Sequence, residues 1–173
     1  MKKILAAFAL FVFLGQNGLC VTVTSAGSGN WNSTTANAPW PGGTVPAAGN
    51  DVVIANGHTV TITAATATIA NLTVDAGGTL VWSSSAPSSK HLTMTGNLTV
   101  NGTVTMTEKG DLNFNTGGNT FSIGAAGTFT FYPASNTSAG ATVFTNGAES
   151  FNATGTLIIS KWYDFGVPLA QNM

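Results

Sequence analysis

The chain has 173 residues, enough for one domain of ordinary size, and only 6% of them are charged against 43% hydrophobic. A formal charge of −1, with no Arg and no basic cluster, argues against nucleic acid or an anionic lipid surface as partner. The polar surface must therefore be built from Thr, Ser, Asn and Gly rather than from ion pairs.

In chain order, Lys2 and Lys3 precede an apolar run of 11 residues, 4–14, and polar Gln16 and Asn17 follow. That run is too short to cross a bilayer as a helix, which takes about 20 residues. Residues 1–20 are read as a secretory signal, with Gly18 and Cys20 as the small residues before a cut at Cys20–Val21. The rival is a lipoprotein signal acylated at Cys20, which the bulky Leu19 disfavours. Cleavage after Cys20 leaves a mature chain with no cysteine, no transmembrane segment and three Lys against six acids, a formal charge of −3. Disulfides then contribute nothing to its stability.

Residues 21–50 are rich in Ser, Gly, Asn, Ala and Pro and contain Trp31, Trp40 and Pro41. We read them as an N-terminal cap that lays the two indoles over the first turn of the downstream repeats. From 51 to 160 the pattern is alternation at period 2 among β-branched and aromatic residues, with no useful 3.6-residue period. A Thr introduces an apolar-x-apolar triplet five times, at Thr59, Thr79, Thr103, Thr128 and Thr156, separated by 20, 24, 25 and 28 residues. A second family, Val52-Val-Ile54, Leu72-Thr-Val74, Leu98-Thr-Val100, Phe121-Ser-Ile123 and Phe151-Asn-Ala153, lies just upstream of each across a Gly or Asn turn. A third comprises Leu92-Thr-Met94, Leu112-Asn-Phe114 and Ala141-Thr-Val-Phe144, with Thr66-Ala-Thr-Ile69 as a weak first copy.

Short strands repeating with a period in the twenties describe a coiled solenoid with one repeat per turn. The expected fold is all-β: a right-handed parallel β-helix, a three-sided solenoid of about five turns with an N-terminal cap. Val60, Leu80, Val104, Phe129 and Leu157 should stack in one inward column, and Ile62, Trp82, Met106, Phe131 and Ile159 in the next. The aromatic segment Lys161-Trp-Tyr-Asp-Phe165 opens a C-terminal stretch, 161–173, that does not read as a polar lid and suggests an N-terminal portion of something longer.

The run from Trp31 through Trp40-Pro-Gly-Gly-Thr-Val-Pro46, Gly49-Asn-Asp51, Val52-Val-Ile54 and Gly57-His-Thr-Val60 resembles the opening of the eight-glycine domain family, especially in bacterial secreted proteins. The resemblance covers roughly residues 30–131. It implies an extracellular, solenoid-like module of surface proteins, suspected of polysaccharide binding or adhesion. The chain departs from that pattern in having no recognisable sorting domain.

Because parallel β-helices include polysaccharide lyases and hydrolases, the acids are the first candidates for catalysis. Glycoside hydrolysis needs two carboxyl groups roughly 5–9.5 Å apart, and the acids are Asp51, Asp75, Glu108, Asp111, Glu149 and Asp164. Asp51, Asp75 and Asp111 each stand where a strand meets a turn, a place Asp takes for its own backbone bonds. A lyase also wants cations for a uronate, and the mature chain offers only Lys90, Lys109 and Lys161. No enzyme activity is expected.

His58 and His91 lack any partner set at metal-ligand spacing, and calcium at the turns near Asp75 or Asp111 lacks a repeated Asp motif. No metal or cofactor is expected. The sequons at Asn32, Asn71, Asn97, Asn101, Asn136 and Asn152 follow from turn preference, and glycosylation is not inferred. Trp40, Tyr132, Trp162 and Tyr163 are weak candidates for stacking on sugars, with Trp40 read first as a cap residue. The Thr-x-Thr pairs Thr59 and Thr61, Thr103 and Thr105, Thr128 and Thr130 should form an exposed ladder on one face.

The expected function is a secreted, non-catalytic surface or structural module for adhesion or polysaccharide binding, acting as a monomer or as part of a longer chain. A polysaccharide-degrading enzyme and an ice-binding solenoid are the alternatives, the latter interrupted by Val81 and Ile158. Expected partners are polysaccharide or cell-surface glycans.

Overall fold

Alternating apolar residues in short β-branched runs stiffen the backbone into strands that present one wet and one dry face. A single strand of four residues cannot bury its dry face alone, so each run is stable only when stacked on the next turn of the chain. A computed structural model describes residues 20–83, 91–106, 111–114, 118–131 and 150–159.

Its strands are β1 (Thr22–Thr24), β2 (Gly29–Asn30), β3 (Asp51–Ile54), β4 (Thr59–Ile62), β5 (Leu72–Val74), β6 (Thr79–Trp82) and β7 (His91–Met94). They continue with β8 (Leu98–Val100), β9 (Thr103–Met106), β10 (Asp111–Phe114), β11 (Thr120–Ile123), β12 (Thr128–Phe131), β13 (Ser150–Ala153) and β14 (Thr156–Ile159).

These strands form three sheets. The first has the order β1-β3-β5-β8-β11-β13, the second β2-β4-β6-β9-β12-β14, and the third pairs β7 with β10. Every pairing is parallel. Parallel neighbours so far apart in sequence require the chain to wind round once per rung, and this is the expected parallel β-helix. Strands lie about 4.8 Å apart, so a six-stranded side measures about 24 Å along the coil axis.

The registers follow the repeats residue by residue. In the second sheet Val60, Leu80, Val104, Phe129 and Leu157 stand opposite one another in turn. In the first sheet Val52, Leu72, Leu98, Phe121 and Phe151 do the same. The weak first copy of the third family is real in part: Ile69 bridges to Met94, and its amide donates to the Thr93 carbonyl at 3.0 Å. Ala141–Phe144 lies outside the described residues. A one-residue slip would turn every inward side chain to water, and that fixes the register.

The inward residues of β3 to β12 form a dry column in which none is more than 3% exposed. Phe121 joins two rungs within it, meeting Phe129 at 4.9 Å and Phe151 at 5.1 Å between ring centroids, both edge to face.

Two strands come from the stretch read as a cap. β1 extends the first sheet, with Thr22 opposite Asp51, and β2 extends the second, with Asn30 opposite Thr61. The cap is thus itself a partial turn. Beyond β2, Trp31 and Trp40 are fully buried, 5.0 Å apart at 75°, and the Trp40 Nε1–H donates to the Trp31 carbonyl. They close the end of the apolar column, as the sequence suggests. A tight turn at Pro41–Gly43 follows them, with Gly42 at φ 62° and Gly43 at φ 74°.

Candidate functional site

The turns between the first and second sheets determine what the second sheet shows to solvent. Gly78, Gly102, Gly127 and Gly155 stack at this corner, where a Cβ would run into carbonyl oxygens of the rung beneath. The Thr103, Thr128 and Thr156 amides donate to the carbonyls of Gly78, Gly102 and Gly127 at 2.8–2.9 Å. Each glycine therefore sets the height at which the following Thr begins its strand. The first position of the column is His58, whose carbonyl takes the Thr79 amide at 2.8 Å.

From this corner the outward side chains run in two straight columns. The first is Thr59–Thr79–Thr103–Thr128–Thr156, unbroken across five rungs. The second is Thr61–Val81–Thr105–Thr130–Ile158, with Asn30 opposite Thr61 at its start. Thr59, Thr103 and Thr156 are exposed and the other threonines half-buried, while Ile158 is 46% exposed. Side chains repeat at about 4.8 Å along a column and stand about 6.7 Å apart between columns. None of these residues is ionisable.

All six threonines expected on one ladder lie on this face. The sequence reading missed Thr79 and Thr156, which stand in the same column. Their strands read Thr-Leu-Val-Trp and Thr-Leu-Ile-Ile, so a search for Thr-x-Thr passed over them. The Thr-led repeat itself carried the signal.

The aromatic candidates fare differently. Trp40 offers no ring face to a ligand, being 0% exposed and packed on Trp31, and its candidacy for sugar stacking is withdrawn. The open end of an apolar column needs a large flat cover more than the surface needs an indole. Tyr132, Trp162 and Tyr163 lie outside the described residues.

A second column runs along the corner that opens the first sheet. The Asp51 carboxylate accepts from the Asn71 side chain at 2.7 Å and from its amide at 3.1 Å. The Asn71 Oδ1 in turn accepts the Asn97 amide at 2.7 Å, and the Asn97 Oδ1 the Thr120 amide at 2.8 Å. Partial burial alone would raise the Asp51 carboxyl, but the bonds from Asn71 and from the Cys20 thiol outweigh it and hold the group below its ordinary value. The same bond, ahead of desolvation and the carboxylate's charge, pushes the exposed Cys20 thiol up and away from reactive thiolate character. Asn71 is thus engaged in the ladder through both its side-chain nitrogen and its oxygen, and Asn97 through its oxygen.

Asp75 sits in a turn, its carbonyl accepting the Gly78 amide at 2.8 Å. It follows β5 of the first sheet, whereas Asp111 opens β10 of the third, opposite His91. The Glu108, Glu149 and Asp164 acids lie outside the described residues. His58 is a turn residue whose Nδ1 meets the Ser25 Oγ at 2.9 Å, while that oxygen accepts the Ala55 amide at 2.9 Å. Ser25 is 4% exposed and already committed, so the pair fastens cap to first turn. Among the described residues no three His, Cys, Asp or Glu side chains gather as metal ligands, and no helix is long and apolar enough to cross a membrane.

No curated protein and no solved structure matches the chain. The family model of the G8 domain does match, over residues 39–160, from the residue before Trp40 to the end of the last described rung. That span contains both outward Thr columns and four rungs of stacked corner glycines. With the family resemblance carried by the Trp40-Pro-Gly-Gly opening and the match running through the whole coil, the chain belongs to the G8 domain family, a family of extracellular domains.

Proposed function

We propose that this domain is a non-catalytic extracellular binding module, that its working surface is the outward face of the second sheet, and that its ligand is an uncharged polysaccharide. The observation that supports this reading is the unbroken column Thr59–Thr79–Thr103–Thr128–Thr156. Each threonine brings one hydroxyl, able to donate and accept, beside one methyl. Repeated at about 4.8 Å, that pair suits a chain of sugars with hydroxyls at its edges and C–H faces between them, at a rise per sugar of similar size. Among the described residues this face carries no ionisable group, which favours a neutral chain over a uronate.

The test is retention on neutral insoluble glycans, with cellulose and chitin as probes, for the wild type and Thr103→Lys/Thr128→Lys. Lysines in mid-column interrupt the row without entering the core. We expect retention to fall at least tenfold, about 1.4 kcal/mol, with an unchanged circular dichroism spectrum. Equal retention by the variant would contradict the placement of the surface. Release of reducing ends or unsaturated sugars would replace the reading by an enzyme, and inhibition of ice recrystallisation lost in Thr105→Lys, without glycan retention, by an ice-binding face.

A further inference from the structure

The outward face of the second sheet is more than a row of hydroxyls. Both outward positions of β4, β6, β9, β12 and β14 are Thr, save Val81 and Ile158. These two are β-branched as well, so every side chain on those strands' outward face forks at Cβ and is stiff at χ1. Val81 keeps the outline of a Thr and loses its hydroxyl, and Ile158 leaves an apolar branch 46% exposed. Where the repeat gives up a hydrogen bond, it keeps the shape.

The register passes one to one from β4 to β14, so within these strands no bulge lifts one rung above another. The two columns are therefore in step: Thr103 and Thr105 share one rung, and Thr128 and Thr130 the next. The face is a stiff grid of side chains of even height, about 4.8 Å by 6.7 Å.

Such a grid favours one physical state of ligand. A hydrogen bond exchanged with water gains little net free energy. A dissolved chain laid along one column must also give up torsional freedom at each linkage, and that cost falls on the same small gains. Chains already packed side by side in a solid are ordered before they bind, and they meet both columns at once. The small gains then add from rung to rung.

We propose that the ligand of this face is the surface of an ordered solid, in which neutral polysaccharide chains lie side by side along the coil axis and engage both columns. This rests on the glycan reading above and adds to it the physical state of the ligand.

Cellulose and chitin are the probes for the full chain, each as microcrystalline powder, as acid-swollen amorphous gel and as the soluble hexasaccharide. Swelling exposes more chain per gram, so a reader of single chains should gain by it. We expect the opposite: retention per gram at least about tenfold higher on the crystalline form, and no displacement by excess hexasaccharide. Thr105→Lys/Thr130→Lys, confined to the second column, should lower crystalline retention as far as Thr103→Lys/Thr128→Lys does. Ser122→Lys, outward on the first sheet, should leave it unchanged, and each variant should keep the circular dichroism of the wild type. Equal or stronger retention on the gel, or release by the hexasaccharide, would overturn the proposal while leaving the glycan reading in place. Full crystalline retention by Thr105→Lys/Thr130→Lys would overturn it too, in favour of a single chain on the first column. No retention on any form of either glycan would overturn the glycan reading itself, and this inference with it.

Discussion

Gly102→Ala is expected to destabilise the protein by at least about 3 kcal/mol, the upper part of the range for overpacking. The added methyl would enter a corner already occupied by the backbone carbonyl oxygens of Asp75 and Gly78. Neither can step aside cheaply. The Gly78 carbonyl accepts the Thr103 amide at 2.9 Å, and the Asp75 carbonyl accepts the Gly78 amide at 2.8 Å. Relief requires raising the whole corner, which would break the Thr128 amide bond to Gly102 above it. The urea midpoint reports this directly, and a loss below about 1 kcal/mol would mean that the rungs are not packed as described. Gly57→Ala makes a useful contrast: nothing stands within 4 Å of its added methyl, and its φ of +77° makes the cost one of backbone strain instead.

Trp40→Ala is the second large effect, expected at about 3–5 kcal/mol. The indole is 0% exposed, meets Trp31 edge to face, and its Nε1–H satisfies the Trp31 carbonyl. Truncation removes the packing, leaves a cavity and orphans a buried acceptor. The Trp31 Nε1 has no hydrogen-bond partner, so that ring is held by packing and by its neighbour. Thermal unfolding with a local probe of β3 and β4 would show the first turn opening earlier than β9 and β12. A variant with the wild-type transition would mean that the indoles do not seal the coil.

The stacking of the rungs was legible because one physical rule governs every copy. Val60, Leu80, Val104, Phe129 and Leu157 must be apolar to line the interior, and the Thr before each must be polar and β-branched. Such a constraint writes itself into the sequence once per turn. β2 left no such trace, because Gly29 and Asn30 join the sheet through backbone alone, seated on Val60 and Thr61. The Asp51–Asn71–Asn97 ladder was hidden for a related reason. Asn before a strand reads as ordinary turn chemistry, and only the coil's geometry sets one amide above the next. Trp40 is a different case: its residue type suits both a sugar platform and a plug, and its burial decides for the plug, the reading the sequence put first.

The winding of the chain is tested most directly by disulfide trapping on a Cys20→Ser background. Thr79 and Thr103 stand opposite each other on adjacent parallel strands, and Thr128 one strand further on. Neighbours about 4.8 Å apart fall inside the Cα separation a disulfide accepts, and positions two strands away, at about 9.6 Å, fall outside it. Mild oxidation should therefore close Thr79→Cys/Thr103→Cys to near completion and leave Thr79→Cys/Thr128→Cys as free thiols. Closure of the second pair, or failure of the first in a folded protein, would contradict a coil of successive in-register turns.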